Sequence, residues 1–362
     1  MSRLRVVVLF GGRSVEREVS RISAKTIVNA LDREKYEVVP LGVGPDGRFL
    51  APVPSARMLT DEAVPKKFLP GDETEVSRSK SVVPKEITLG KADVVFPIIH
   101  GATGEDGVLQ GFLEMLGVPC VGAGVTASAV GMDKSVFKAL LRDAGIPHAR
   151  SLALSLQETA GVKGRLSKLR LKPPLFVKPA NGGSSVGVTK VKNWKDLAGA
   201  MDLAFRYDER ILIEEAIDAR ELECAVLGND EPKASVVGEV VPGREFYDYD
   251  DKYREDKAKL LIPAPIPKSV SNRVRRLATE VFMLCGVSGM ARIDFFLKRG
   301  TQQVFVNELN TLPGFTAISM YPKLWEATGL PLPKLLDELI RLALERKAKR
   351  DRLSHEPPAA LN

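Results

Sequence analysis

The chain is 362 residues long, 44% hydrophobic and 27% charged, which excludes a mostly disordered chain, a coiled coil and a collagen-like rod. Single cores stop growing near ~250–300 residues, so two or three compact units are expected. The formal net charge of +7 leaves room for an anionic ligand, but part of the excess sits in ERKAKRDR near the C-terminus, and no aromatic-interleaved basic stretch points to nucleic acid.

The N-terminal MSRLRVVVLFGG has basic residues before an apolar run, but the run ends in a Gly-Gly turn with no A-x-A cleavage site. It reads as a first strand, Arg5–Phe10, turning at Gly11-Gly12 into an amphipathic helix over Val15–Leu31. A second strand spans Tyr36–Val43. After the polar, Pro-rich segment Val53–Lys91 comes a buried strand, Ala92–Ile99, then the loop HGATGEDG, a helix over Val108–Leu116 and a short strand at Val118–Val121. This βαβ alternation implies a parallel sheet with ligands at its strand ends. The longest apolar runs, Leu4–Phe10 and Val94–Ile99, fall far short of the ~18–20 residues of a membrane span, so no membrane partner and a cytoplasmic location are expected.

A new unit begins at TASAVGMDKSVFKALLRDAGIPHARS, whose helix stops at Gly145 before Ile146-Pro147. Strands follow at Pro174–Lys178 and Val186–Val191, flanking the loop PANGGSSVG, and at Arg210–Glu215, Glu221–Leu227 and Ala234–Val241; a helix over Trp194–Phe205 intervenes. The remainder reads as a helix (Val270–Cys285), strands at Gly289–Leu297 and Gln303–Leu309, an irregular Pro/Gly segment and a terminal helix near Leu332–Lys347.

Cys120, Cys224 and Cys285 lie far apart without a C-x-x-C pair, so reduced buried thiols are expected. With only His100, His148 and His355, a His-based zinc centre is nearly excluded. The loop from Lys178 to Gly187 combines small residues, two hydroxyls and an entering lysine. It suits a strand-loop-strand phosphate cover or a merely flexible hairpin, and differs from G-x-x-x-x-G-K-[ST] because the lysine precedes the glycines. Asp294 lies on one strand; Glu308 and Asn310, two apart on the next, share a face. Carboxylates inside apolar strands need a partner, and hard Asp/Glu/Asn oxygens suit Mg²⁺ with nucleotide phosphates; a structural network with Arg292, on the face of Asp294, is the alternative.

The motifs HGATGEDG, GMDK, FVKPANGGSSVG, LIEEAIDARELECAVLGN, EFYDYDDKY, ARIDFF and VNELNTLPGFTAISMYPKLW together resemble the D-alanine–D-alanine ligases of the ATP-grasp superfamily, from Gly11 to about Leu344. The resemblance implies an α/β ATP-grasp fold behind an N-terminal parallel-sheet, Rossmann-like domain. It implies that ATP joins two D-alanines through an acyl-phosphate, supplying peptidoglycan precursor. Lys134 and Lys178 match phosphate-holding lysines, Ser184 and Ser185 the covering loop, and Glu214, Glu215, Ile217 and Glu221 the surroundings of adenine and ribose, with Phe296 on the base. Asp294, Glu308 and Asn310 match ligands of two Mg²⁺ or Mn²⁺ ions, with Asn307 and Lys252 also on the nucleotide side. Glu16 matches the carboxylate gripping the first D-alanine's ammonium, with Tyr253 and Ser184 as its hydrogen-bonding partners and His100 nearby. Arg292 and the Gly314 N–H match the oxyanion stabilisers, and Ser319 and Met320 lie where the second D-alanine binds. Glu215 replaces a lysine found in some members.

The resemblance further implies a homodimer and places specificity in an omega loop, Glu245–Lys259, where Lys252-Tyr253 follows the D-alanyl-D-alanine pattern. The expected domains are 1–124 (substrate-binding), 125–217 (central subdomain with the glycine loop) and 218–350 (metal site and omega loop), with a flexible tail at 351–362. Alternatives are a D-lactate or D-serine ligase of the same fold, and a non-catalytic nucleotide-binding module that would have lost Arg292 or the metal trio. A Rossmann dehydrogenase fails because LFGGRSVE lacks G-x-G-x-x-G.

Overall fold

The computed structural model describes residues 3–60, 89–183, 185–242 and 259–354. β1 (Leu4–Gly11), α1 (Arg17–Ala30), β2 (Tyr36–Val43), α2 (Pro52–Thr60), β3 (Val94–Pro97) and α3 (Val108–Met115) build a parallel sheet of order β2-β1-β3 with helices packed on it. The strands are apolar along their length because both faces are covered: Val6, Val8 and Phe10 enter one core, Val7 and Leu9 another. Gly11 sits at φ +95, where a Cβ would lie 2.3 Å from the Val43 carbonyl oxygen, so the strand end that becomes the α1 entry tolerates only glycine. The expected strand at Val118–Val121 is a single bridge between Val95 and Cys120; Pro119 has no N–H to extend the ladder.

The helix expected to run to Gly145 is two, α4 (Val125–Met132) and α5 (Lys134–Asp143). They break at Asp133, whose carboxylate caps α5 by accepting from the Ser135 and Val136 N–H groups. β4 (Ser151–Ser155), α6 (Val162–Lys168), β5 (Leu175–Pro179), β6 (Thr189–Val191), α7 (Leu197–Ala204) and β7 (Arg210–Glu215) make the second unit, an antiparallel sheet of order β4-β7-β5-β6. β6 begins three residues later than expected, because Ser185 (φ 60) and Gly187 (φ 73) hold left-handed conformations that no strand contains.

β8 (Ala219–Gly228), β9 (Lys233–Val241), β10 (Lys259–Leu261), α8 (Lys268–Leu284), β11 (Gly289–Lys298) and β12 (Val304–Asn310) follow, the strands in the antiparallel order β10-β9-β8-β11-β12. α8 packs Val274, Leu277 and Val281 against Leu222, Ile293 and Phe295 on one face of this sheet, leaving the other for the site. α9 (Met320–Ala327) lies in the stretch expected to be irregular, and α10 (Leu332–Arg350) returns to the start of the chain. Leu335, Leu336, Leu339 and Ile340 share the core of Val6, Phe10 and Phe96, and Asp337 accepts from Lys35 Nζ (2.7 Å) and the Tyr36 hydroxyl (2.9 Å). Among the described residues no helix is long and apolar enough to cross a membrane.

Candidate active site

On β11, Ala291, Ile293, Phe295 and Leu297 are buried while Arg292, Asp294 and Phe296 alternate with them, half-buried, on the opposite face. β12 carries a bulge: Asp294 pairs with Glu308 and Phe295 with Val306, leaving Asn307 as the extra residue. The bulge resolves a conflict of parity. Val306 and Glu308 would share a face in a regular strand, yet Val306 enters the core and Glu308 reaches the Lys134 ammonium.

Arg292 holds Asp294 through two bonds, Nε to Oδ1 at 2.7 Å and Nη2 to Oδ2 at 2.8 Å. Asn310 Nδ2 adds a 2.9 Å bond to Asp294 Oδ2, and Glu223 Oε2 lies 2.9 Å from Arg292 Nε. Burial works against the Arg292 charge, but Asp294 and Glu223 outweigh it and raise the guanidinium's pKa further. Glu223 is a site residue that the sequence reading missed. Its signal was present in RELECAVL, where Glu221 and Glu223 are two apart and therefore share a strand face.

The lysines come from two other elements. Lys134, at the start of α5, lies 2.9 Å from Glu308 Oε1 and donates to the Gly182 carbonyl at 2.6 Å, joining the glycine loop to β12. Lys178 on β5 lies 2.5 Å from Glu214 Oε2, and Lys138, one turn after Lys134, lies 3.1 Å from Glu214 Oε1. Burial alone would push the Glu214 carboxyl up; the Lys138 and Lys178 ammoniums overcome it and hold it at about 2. Lys138, 1% exposed, was also missed; its only mark in the sequence is a four-residue offset from Lys134.

A cavity lined by Glu105, Lys134, Gly182, Gly183, Glu308 and Asn310 opens between these elements. Glu16, just ahead of α1, presses Oε2 to within 3.0 Å of where a Cβ on Gly183 would stand, so this carboxylate and the glycine loop are in contact. His100 is buried with Nδ1 3.8 Å from Glu105 Oε1; burial lowers its pKa, but Glu105 and Glu16 outweigh that and raise it. Glu105 Oε2 in turn accepts from the Gly101 N–H at 2.7 Å, fixing the HGATGEDG loop.

Not every expected residue joins this group. Glu215 is turned to Arg150, its carboxylate 2.5 Å from Nη2, while Glu214 occupies the buried cluster. Ile217 lies in the turn between β7 and β8, and Glu221 sits opposite Phe296 across the ladder. Ser319 precedes α9 without capping it; its Oγ accepts from the Thr316 N–H at 2.9 Å, and a Cβ on Gly314 would stand 2.8 Å from it. Met320 is buried in the core against Gly238. Ser185 is in the glycine loop; Ser184, Lys252 and Tyr253 lie outside the described residues.

Asp294, Glu308 and Asn310 offer two carboxylates and an amide oxygen on adjacent strands, a hard donor set that fits Mg²⁺ or Mn²⁺ completed by water and phosphate. Asp294 and Glu308 are here neutralised by Arg292 and Lys134, whose charges a divalent cation can replace. Among the described residues no cluster of three or more His, Cys, Asp or Glu side chains is arranged for a metal by itself.

Residues 5–123 match the family model for the D-ala D-ala ligase N-terminus and residues 140–341 that for the C-terminus. The chain is 48% identical over 366 residues to D-alanine--D-alanine ligase A of Chromobacterium violaceum, covering 98% of this chain and 99% of the relative. The D-alanine-D-alanine ligase structure from Coxiella burnetii superposes with a TM-score of 0.81 at 41% identity, over 97% of both chains. The VanG D-Ala:D-Ser ligase of Enterococcus faecalis follows at 0.80 and 32%, over 94% of this chain and 100% of that one. With matches spanning both halves of the chain and a fold shared end to end, this protein belongs to the D-alanine–D-alanine ligase family of ATP-grasp enzymes.

Proposed function

We propose that the protein ligates two D-alanines into D-alanyl-D-alanine with ATP, yielding ADP and phosphate and supplying peptidoglycan precursor. The observation that carries this reading is one cavity lined by Lys134, the glycine loop, Glu308 and Asn310, with Asn310 bonded to the Asp294 that Arg292 holds and Glu16 set against Gly183. Glu16 grips the first D-alanine's ammonium, leaving its carboxylate free to attack the γ-phosphorus of ATP. Lys134 and Lys178, released from Glu308 and Glu214, take phosphate oxygens instead. Asp294, Glu308 and Asn310 would hold two divalent cations, whose contribution when bound would be to neutralise the phosphates. The second amine then attacks the acyl carbon, and Arg292 with the Gly314 N–H stabilises the oxyanion before phosphate leaves with the former carboxylate oxygen. Ser319 binds the second D-alanine's carboxylate.

Domain limits at 124, 217 and 350, a homodimer and a cytoplasmic location complete the proposal. A second reading, a D-serine- or D-lactate-type ligase of the same fold, draws on the likeness to the VanG D-Ala:D-Ser ligase at 32% identity. A non-catalytic module would not need Arg292 and the metal trio, all of which this chain keeps. The test is purified protein with ATP, Mg²⁺ and D-alanine in competition with D-serine and D-lactate across pH 6–9. Dipeptide formed one-for-one with phosphate and rising through neutral pH, with little mixed product, is expected. Mostly D-alanyl-D-lactate or D-alanyl-D-serine at neutral pH overturns the specificity, and ATP turnover without any ligated product overturns the reaction.

A further inference from the structure

Two lysines share one carboxylate between the second and third sheets: Lys138 and Lys178 each pair with one oxygen of Glu214. The two lysines are not equivalent. The Lys178 side chain keeps 13% of its surface exposed, whereas Lys138 keeps 2% and Glu214 keeps 5%. Lys138 Nζ also approaches the Val306 carbonyl, at 3.5 Å, on the strand that carries Glu308. One ammonium therefore spans β7 of the nucleotide-covering sheet and β12 of the metal-bearing sheet. A fully buried lysine loses hydration that only a close carboxylate restores, so this is an expensive arrangement for mere filling of space.

We propose that Lys138 is a positioning residue for nucleotide recognition: it is the permanent partner of Glu214, and it keeps that carboxylate aimed at the purine when Lys178 leaves to bind phosphate. The inference rests on the reading that Glu214 faces the base and Lys178 the phosphates. Lys178 is the exchangeable partner because its side chain keeps more exposed surface than that of Lys138. Once it turns to an anion, Glu214 would be a buried carboxylate with no counter-charge unless Lys138 stays. A carboxylate held in this way is acceptor-only, so it favours a purine with an amino group at position 6 over one with an oxo group there.

The experiment is a double-substitution cycle on the full-length enzyme, with Michaelis constants for ATP, ITP and D-alanine measured separately. Glu214→Gln alone tests the underlying reading: an unchanged Michaelis constant for ATP means Glu214 does not face the base, whatever Lys138 does. If Glu214→Gln weakens ATP, the cycle decides the proposal. Lys138→Met is expected to raise the ATP constant about tenfold and narrow the ATP-over-ITP preference, with the D-alanine constants within about twofold; Lys138→Arg is expected to recover part of the loss. Added to Glu214→Gln, Lys138→Met is expected to change the ATP constant by less than about twofold, because its effect runs through the carboxylate. This comparison holds even if Lys138→Met alone fails to fold, since the double variant leaves no carboxylate unpaired. A further tenfold loss in the double variant, or an equal loss for D-alanine and ATP, overturns the proposal and makes Lys138 a general structural residue.

Discussion

Asp294 and Glu308 are each neutralised from within the chain, by Arg292 and Lys134, and those pairings set what single substitutions do. Glu308→Gln keeps volume but removes the charge that balances Lys134 and, on the proposed reading, a metal ion. Turnover is expected to fall by at least about a hundredfold while circular dichroism and melting stay close to the parent; near-normal turnover at saturating Mg²⁺ removes Glu308 from the metal set. Arg292→Lys loses the fork that makes two bonds to Asp294. Loss of an oxyanion donor costs ~2.7–4 kcal/mol, so turnover should drop by about a hundredfold or more with a smaller rise in the ATP Michaelis constant. Weaker ATP binding at unchanged turnover moves Arg292 to the ground state. Glu214 carries a pH signature. Because its carboxyl is held at about 2 against an ordinary 4.5, its ionised form stabilises the fold fully above that ordinary value, and the contribution is lost as pH falls toward about 2. Between pH 5 and 2.5 the melting temperature of the parent should fall more steeply than that of Glu214→Gln, and parallel curves contradict the assignment.

The elements show where the sequence was readable and where it was not. β1 and β3 were legible because strands covered on both faces are nearly unbroken apolar runs, and α8 and α10 because their periodicity is long. The break at Asp133 was hidden: a helix-capping aspartate between two apolar helices resembles a polar residue on one longer helix. The shared faces of Arg292 with Asp294 and of Glu308 with Asn310 could be read from spacing, but the bulge at Asn307 could not, since it depends on which of Val306 and Glu308 the core claims. Lys138 and Glu223 stayed hidden because their partners are 76 and 69 positions away (138 to 214, 223 to 292), and pairing at that distance exists only after folding. The HGATGEDG loop gives an element-scale test. A Cβ on Gly104 would stand 2.0 Å from the Ile99 carbonyl oxygen, so Gly104→Ala must displace the loop that carries Glu105. A loss of about 2 kcal/mol or more is expected, read as a melting temperature lower by several degrees. An unchanged melting temperature means the loop relaxes freely.

At the scale of the whole molecule, the last helix completes the first sheet. α10 buries Leu335, Leu336, Leu339 and Ile340 beside Val6, Phe10 and Phe96, so β1 depends on residues more than 300 positions later. Leu339 is 0% exposed, and Leu339→Ala is expected to cost about 2–5 kcal/mol. Hydrogen exchange should speed up in β1–β3 before it does in β4–β7; uniform loss of protection contradicts this partition. The same architecture sets Glu16 of the first unit against the glycine loop of the second and joins that loop through Lys134 to Glu308 of the third beside one cavity, as an enzyme that handles two amino acids and a nucleotide requires. The most direct test of that account follows one oxygen atom. With D-alanine labelled by ¹⁸O in its carboxylate, attack on the γ-phosphorus and departure of phosphate from the acyl carbon carry one labelled oxygen into inorganic phosphate for each dipeptide formed. Singly labelled phosphate in equal amount with D-alanyl-D-alanine is the predicted result; dipeptide accompanied by unlabelled phosphate, or no dipeptide at all, would contradict it.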